Sequence, residues 1–251
     1  MKLEGKVCVV TGGGRGIGRA VAELFASEGG TLVVWDVDAV AAEEVARAVG
    51  GSFDVCDVAL RGSVEDACAA TLARHGRVDV LVNNAGVALI GPSEAVSDED
   101  WATSIAVLQT GVFLCSQVVG RTMLQRRSGS IVNVSSINAF EAFPLRLAYC
   151  AAKAAVVAMT QVLAIEWADR GVRVNAVAPG VTRTEMVEDA IGRGLVDVDA
   201  YLARTPLHRF AEPAEVARAV LYLANDEDGS FVTGTTLRVD GGWSAHGWIM
   251  R

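Results

Sequence analysis

Seven short runs, most of them valine-rich, alternate with longer helical stretches along this chain, and that alternation limits its fold more than any other feature. The runs lie at 6–10, 31–35, 51–55, 78–82, 130–134, 173–177 and 235–239, each too short for an ordinary helix. Between them, residues 19–28, 38–49, 62–75, 97–126, 149–168 and 213–225 carry helical periodicity or helix-start residues. Such alternation specifies parallel strands joined by crossover helices, so both sheet faces are covered and ligands gather at the strand C-terminal ends. The expected fold is therefore α/β, a three-layer, doubly wound parallel sheet of about seven strands. No linker breaks the pattern, and residues 1–251 read as one domain. Segment 181–212 is weakly periodic and charged, and a long connection past a strand end reads as a lid over a site.

The chemistry-bearing residues fall at the strand ends. The first strand runs into Thr11-Gly-Gly-Gly-Arg-Gly-Ile-Gly18 and then a helix. Gly12 permits a tight turn, Gly16 lets backbone approach a pyrophosphate, and Gly18 allows close helix–strand packing, with Arg15 and Ile17 between them. The second strand ends at Asp36, eighteen residues past Gly18. A carboxylate there accepts from both adenosine ribose hydroxyls and repels a 2′-phosphate. Arg15 is the one nearby cation suited to such a phosphate, and no basic residue follows Asp36 to help it, so NAD is favoured over NADP. The fourth strand ends in Asn83-Asn84-Ala85-Gly86, whose small residues let a planar cofactor lie against backbone.

After the fifth strand come Ser136 and, beyond a loop, Tyr149-Cys-Ala-Ala-Lys153. On a helix, Tyr149 and Lys153 leave the same face one turn apart. An ammonium there is expected to lower the phenol pKa toward the range of a general acid/base. With the Ser136 hydroxyl as a donor, the set suits proton transfer at an alcohol oxygen.

Composition excludes several classes. The formal charge of -8 argues against nucleic acid and anionic membrane surfaces as partners. The most apolar long stretch, 154–165, reads as too short to span a bilayer and as a buried or interface helix. No leader is visible at the N-terminus. Cys8, Cys56, Cys68, Cys115 and Cys150 show no metal-ligand spacing, and His75, His208 and His246 are scattered, so no metal is expected. Reduced thiols in a cytoplasmic protein are the expected state.

Taken together, Thr11-Gly-x-x-x-Gly-x-Gly18, Asp57, Asn83-Asn-Ala-Gly86, Ser136, Tyr149-x-x-x-Lys153, Pro179-Gly180 with Thr184, and Val239-Asp-Gly-Gly242 resemble the short-chain dehydrogenase/reductase family over nearly the whole chain. The resemblance implies a seven-stranded Rossmann-like sheet and hydride transfer between a nicotinamide and a carbonyl/alcohol pair. It implies Tyr149 as acid/base, Ser136 orienting the substrate oxygen, and Lys153 on the nicotinamide ribose. It further implies Asp57 and Val58 at the adenine, and Thr184 with backbone near Thr182 and Pro179-Gly180 at the carboxamide. In one place the chain departs from the family. The family's helix asparagine, part of a water chain behind the lysine, is replaced here by Leu108 in Trp101-x6-Leu-x-x-Gly111. Leucine retains the backbone carbonyl, and Gln109 and Thr110 are the polar neighbours.

The leading reading is an NAD-dependent oxidoreductase acting on a small secondary alcohol or ketone. The loop at 137–147 offers Asn138, Glu141 and Arg146 among Phe140, Phe143 and Leu147. Its polar groups suit a polyol or sugar, and its aromatics a cyclic alcohol. Two readings stand beside it: a 3-ketoacyl-carrier-protein reductase, against which Asp36 argues, and a weakly catalytic dinucleotide-binding sensor or assembly protein, which Leu108 motivates. Apolar residues on more than one face of the helices at 98–126 and 149–168, with the resemblance, imply a homo-oligomer, specifically a tetramer.

Overall fold

A computed structural model describes residues 1–247; residues 248–251 of the expected single domain lie outside the described residues. Its strands are β1 (Val7–Thr11), β2 (Thr31–Asp36), β3 (Ser52–Val55), β4 (Val80–Asn83), β5 (Gly129–Val134), β6 (Val172–Pro179) and β7 (Thr236–Val239). They form one parallel sheet in the order β3-β2-β1-β4-β5-β6-β7. Side chains alternate across the sheet, so a strand covered on both faces must be apolar at every position. Along β1, Cys8 and Val10 enter one core and Val7 and Val9 the other. That is why these strands read as continuous apolar runs.

The helices divide between the two faces. α1 (Gly16–Ser27), α2 (Ala39–Val49) and α9 (Pro213–Ala224) pack into the first core, where Phe25 is fully buried. Truncating a phenylalanine so placed costs about 3–5 kcal/mol. α3 (Arg61–His75), α5 (Gly111–Arg126) and α6 (Leu147–Trp167) cover the opposite face. A Cβ on Gly120 of α5 would sit 2.6 Å from the Trp167 ring, so glycine sets the close approach of α5 to α6. The buried stripe of α6, Ala148, Ala152, Val156, Thr160 and Ala164, recurs every four residues.

The long helix expected over 97–126 is interrupted. α4 (Asp98–Ile105) starts on a Ser97 cap that accepts from Asp100 N–H at 3.0 Å, and a π-helical turn, Ala106–Thr110, joins it to α5. The wider turn seats Gly111 where a Cβ would lie 2.8 Å from Val58. Segment 181–212 contains two helices that periodicity did not reveal, α7 (Glu185–Gly192) and α8 (Val198–Arg204). The α4–α5 rod and the helix around α6 prove long and apolar enough to cross a membrane, longer than the run at 154–165 suggested. Both nevertheless pack along the sheet, and α6 buries Lys153 on its inner side.

A buried polar ladder crosses this layer. Asn83 Nδ2 donates to Ser116 Oγ at 2.9 Å and to Asn133 Oδ1 at 2.8 Å, and Asn133 Nδ2 donates to Thr160 Oγ1 at 2.9 Å. Asn83 and Asn133 are direct partners in the β4–β5 register.

Candidate functional site

The strand order reverses at β1, whose neighbours are β2 on one side and β4 on the other. Doubly wound sheets bind ligands in the crevice at such a reversal. A cavity of about 840 Å³ opens there, large among ligand pockets, which run to roughly 1,000 Å³. It runs past the ends of β1, β2 and β4 and reaches Ser136, Tyr149 and Lys153.

The β1–α1 turn is built for close approach. Gly12 adopts φ +60°, and a Cβ there would fall 2.7 Å from the Ala85 Cα; Gly16 adopts φ +53°. A Cβ on Gly18 would collide with the Gly12 carbonyl and lie 2.5 Å from Asn84 Nδ2, so Gly18 serves packing and does not line the cavity. The α1 N-terminus has no acidic residue in its own first turn, although the Glu185 carboxylate of α7 lies against Gly16. Thr11 Oγ1 accepts from the N–H groups of Asn84 and Ala85, both at 3.0 Å, and Asn84 Nδ2 donates to the Gly12 carbonyl at 2.9 Å. These bonds tie the ends of β1 and β4 into one floor.

Asp36 does more than the sequence indicated. Its Oδ2 accepts from Gly14 N–H at 2.9 Å and its Oδ1 from Asp38 N–H at 3.0 Å, so the carboxylate also holds the glycine turn. Arg15 is not a free cation: it pairs with Asp38 at 2.6 Å. With Arg15 and Asp38 offsetting each other, the end of β2 keeps the single negative charge of Asp36. Asp57 and Val58 line the same end, with Asp57 Oδ1 accepting from Ala59 N–H at 2.9 Å. Pro179, Gly180, Thr182 and Thr184 line the far wall. Thr182 Oγ1 donates to the Gly180 carbonyl at 3.1 Å, and the Thr184 hydroxyl caps α7, so their side-chain oxygens already serve the fold.

These residues fit a dinucleotide. The positive-φ glycines, the uncapped α1 N-terminus and the Asp36 acceptors match a pyrophosphate and a ribose diol.

At the other end, the Asn138 N–H donates to Ser136 Oγ at 3.1 Å, which leaves the serine proton free for a substrate oxygen. Lys153, 4% exposed, donates from Nζ to the Val134 carbonyl at 2.7 Å, with Nζ 5.7 Å from the Tyr149 ring centroid. Burial pulls its pKa down to about 8. The expected lowering of the Tyr149 pKa by Lys153 is not found. Burial raises the phenol above its ordinary value, opposed by the Ser136 hydroxyl and then by the charge of Arg146. The reason is order of titration: a lysine with a pKa near 8 has lost its charge before the phenol ionises.

Leu108 is 1% exposed, and a Cβ on Gly86 would lie 3.2 Å from its Cδ2. It fills the space beside the Asn84–Gly86 floor with a hydrocarbon group.

Of the three proposed substrate-facing residues, Asn138 and Arg146 line the cavity and Glu141 does not. The 3₁₀ turn Ile137–Ala139 and the Glu141 N–H to Ile137 carbonyl bond, at 2.9 Å, carry Glu141 past the rim. The residue the sequence missed is Tyr201 of α8, which lines the cavity and accepts from Arg146 at 3.3 Å. Phe143 stacks on Trp243 at 5.4 Å, with Tyr201 5.6 Å from Trp243, closing the rim. No local signal marks Tyr201; fifty-five residues separate it from Arg146. No cluster of metal-ligating groups occurs among the described residues.

A family model described as Enoyl-(Acyl carrier protein) reductase matches residues 12–244. The chain is 42% identical to D-threitol dehydrogenase of Mycolicibacterium smegmatis, over 97% of this chain and 94% of that protein. It is 41% identical to the 3-oxoacyl-[acyl-carrier-protein] reductase FabG of Thermotoga maritima, over 96% of this chain and 99% of that one. Among solved structures, levodione reductase superposes with a TM-score of 0.92 at 32% identity, covering 97% of this chain and 99% of that one.

Proposed function

The chain belongs to the short-chain dehydrogenase/reductase family, and on that footing we propose that it interconverts a small polyol and its ketone with a preference for NAD over NADP. The observation that carries the reading is the convergence of Ser136, Tyr149 and Lys153 on the cavity that also holds Gly12, Gly16 and Asp36. A nicotinamide dinucleotide, when bound, supplies the hydride acceptor or donor. Gly12, Gly16 and the α1 N-terminus would hold its phosphates, Asp36 its adenosine ribose, and Lys153 its nicotinamide ribose.

The chain's own residues handle the proton. Ser136 donates its free hydroxyl proton to the substrate oxygen and fixes it beside Tyr149. The Tyr149 phenol gives a proton to the carbonyl oxygen in reduction and its phenolate takes one from the alcohol in oxidation. Lys153, its pKa pulled down to about 8 by burial and its Nζ bonded to the Val134 carbonyl, can both release and take up a proton near neutral pH. The NAD preference rests on Asp36 and on the Arg15–Asp38 pair. The polyol class is supported by the threitol enzyme's similarity and by the polar Asn138 and Arg146. Exposed Phe113, Val162 and Ile165 on α5 and α6 support a homotetramer, and the five cysteines, none of them paired with another, support a cytoplasmic location as part of the same reading.

The test is a panel of polyols, cyclic alcohols and an acyl thioester, each with NAD and NADP, followed by absorbance of the reduced cofactor. Polyol oxidation with NAD is expected. Activity confined to the 3-ketoacyl thioester with NADPH would overturn the proposal. Tight NADH binding without turnover of any substrate would favour the sensor reading that Leu108 motivates.

A further inference from the structure

α8 brings Tyr201 to the substrate end of the cavity yet buries none of its own residues, although Val196 and Thr205 on either side of it are buried. A helix without a buried face is not held by the core, so its position depends on contacts at its surface. Those contacts meet in one cluster. The ring centroids of Phe143 and Trp243 are 5.4 Å apart, those of Tyr201 and Trp243 5.6 Å, and those of Phe143 and Tyr201 6.1 Å. All three separations lie where aromatic pairs attract beyond the area they bury. Arg204, on the same helix, sets its guanidinium over the Trp243 ring at 5.4 Å and donates to the His246 carbonyl. His246 Nδ1 donates back to the Arg204 carbonyl at 3.1 Å.

The cluster joins three distant segments: the loop after β5, the helix α8 and the turn after β7. Its members do not play equal parts. Phe143 and Tyr201 line the cavity, whereas Trp243 stands behind them, with Phe143 stacked on it at an interplanar angle of 24°. A second tie runs beside the rings, because Arg146 donates to the Tyr201 hydroxyl at 3.3 Å. The 137–147 loop and α8 are therefore bridged twice, by ring contact and by a hydrogen bond, where the loop leads into Tyr149.

Resting on the dehydrogenase reading above, we propose that Phe143, Tyr201 and Trp243 form a specificity gate that admits small free ketones and alcohols and excludes acyl groups borne on a pantetheine arm. Any ketone reduced here places its oxygen at Ser136 and Tyr149. A small free substrate fits wholly inside the cavity. In a 3-ketoacyl thioester the sulfur lies close to the reacting carbonyl, so the arm has to leave the cavity beside Tyr149, and the cluster closes the exit between the 137–147 loop and α8. Trp243 is a positioning residue: it touches no substrate, and it backs the two rings that fill the exit.

Ethyl acetoacetate and S-acetoacetylpantetheine share the reacting ketone, are both uncharged, and differ in the arm. Each is titrated into the enzyme–NADH complex by NADH fluorescence and assayed for reduction in wild type, Trp243→Ala, Trp243→Phe and Tyr201→Ala. Wild type is expected to bind ethyl acetoacetate tenfold or more tighter than the thioester, with kcat/KM in the same sense. Trp243→Ala should close that gap by tightening the thioester, with ethyl acetoacetate little changed, and Trp243→Phe should keep most of it. Tyr201→Ala should close it too, and it decides alone if Trp243→Ala does not fold, since α8 has no buried residue to lose. A selective gain for one ligand does not come from a damaged fold, so it separates a gate from a merely structural ring. Equal binding in wild type, binding of neither compound, or a gap that persists in the alanine variants overturns the gate. A gap in binding without reduction of either compound leaves the gate standing and overturns the dehydrogenase reading; reduction of both with equal efficiency does the reverse.

Discussion

At the dinucleotide end of the cavity, the polar groups that shape the floor are already occupied. Asp36 holds Gly14 and Asp38, Asn84 holds Thr11 and Gly12, Thr184 caps α7, and Arg15 is paired with Asp38. At the substrate end, Asn138 Nδ2 has no partner and Arg146 has only neutral ones. The first end is assembled before its ligand arrives, and binding there adds contacts to a finished frame. The second end carries a guanidinium without a counter-charge, and its unpaired amide donor is sealed away from the cavity.

The largest expected effects test whether the finished end tolerates any change. Gly18→Ala places a methyl group against the Gly12 carbonyl, backbone against backbone, with no side chain free to yield. Dinucleotide binding by fluorescence should be lost by about a hundredfold or more, with a lowered Tm. Near-normal binding would mean the floor is looser than its hydrogen bonds imply. Tyr149→Phe should lower kcat by about a thousandfold or more while NADH binds within about twofold of wild type, because the phenol acts only when a proton moves. Asp36→Ser should narrow the NADH-over-NADPH preference by about tenfold. It should also weaken both cofactors, since Gly14 loses its anchor.

Smaller effects sharpen the contrast through stability. Asn84→Ala strips hydrogen bonds from the β1–β4 floor and should cost about 1–3 kcal/mol in urea unfolding. Asn138→Ala removes a donor that is already unpaired and should change stability by no more than about 0.5 kcal/mol. Equal losses at the two sites would erase the distinction between them. Leu108→Asn replaces a buried hydrocarbon by an amide and should cost about 2–4 kcal/mol, while restoring the residue that the family carries at this helix position and raising turnover. Unchanged turnover would show that the lysine already exchanges its proton by another route.

The smallest effects are read against pH. Burial holds the Tyr149 pKa up, so alcohol oxidation, which needs the phenolate, should accelerate as pH rises, whereas ketone reduction should hold through neutral pH. Arg146→Gln removes a charge that stabilises the phenolate and should move the oxidation limb to higher pH. Lys153 titrates near 8 in the folded chain against an ordinary value of 10.5. Between those values the unfolded chain holds the proton and the folded chain does not, so this group's contribution to stability rises with pH across the window. Lys153→Met should flatten that slope in urea titrations at fixed pH steps.

The same division governs how much could be read before the fold was known. Parallel strands covered on both faces must be apolar throughout, so β1, β4, β5 and β6 announced themselves, and ligand residues at their ends could be found by position alone. Gly12 and Asp36, at the ends of β1 and β2, and the Tyr149–Lys153 spacing on α6 are local signals of that kind. The substrate end is assembled from residues far apart in the chain. Arg146 meets Tyr201 across fifty-five residues, and Phe143 meets Trp243 across a hundred, pairings that no periodicity carries. Glu141 fails for the complementary reason: a single 3₁₀ turn decides which side of the loop it leaves. The Tyr149 pKa escaped because Lys–Tyr spacing conveys proximity and says nothing of how deeply both groups are buried.

The Asn83–Asn133 bond has a consequence for how the chain finds this arrangement. Valine-rich parallel strands are nearly interchangeable under a shift along their length, since one apolar contact replaces another. Asn83 and Asn133 are not interchangeable with valine, and the bond from Asn83 Nδ2 to Asn133 Oδ1 forms only when they stand side by side. A pairing of β4 with β5 displaced by two residues would keep every side chain on its proper face yet part Asn83 Nδ2 from Asn133 Oδ1, a penalty of about 1–3 kcal/mol. Ser116 and Thr160 extend the same demand to α5 and α6. The ladder therefore acts as an alignment key, penalising slipped intermediates that hydrophobic collapse alone would accept, and it sits directly beneath the strand ends whose mutual position determines whether Asn84 and Ser136 face one cavity.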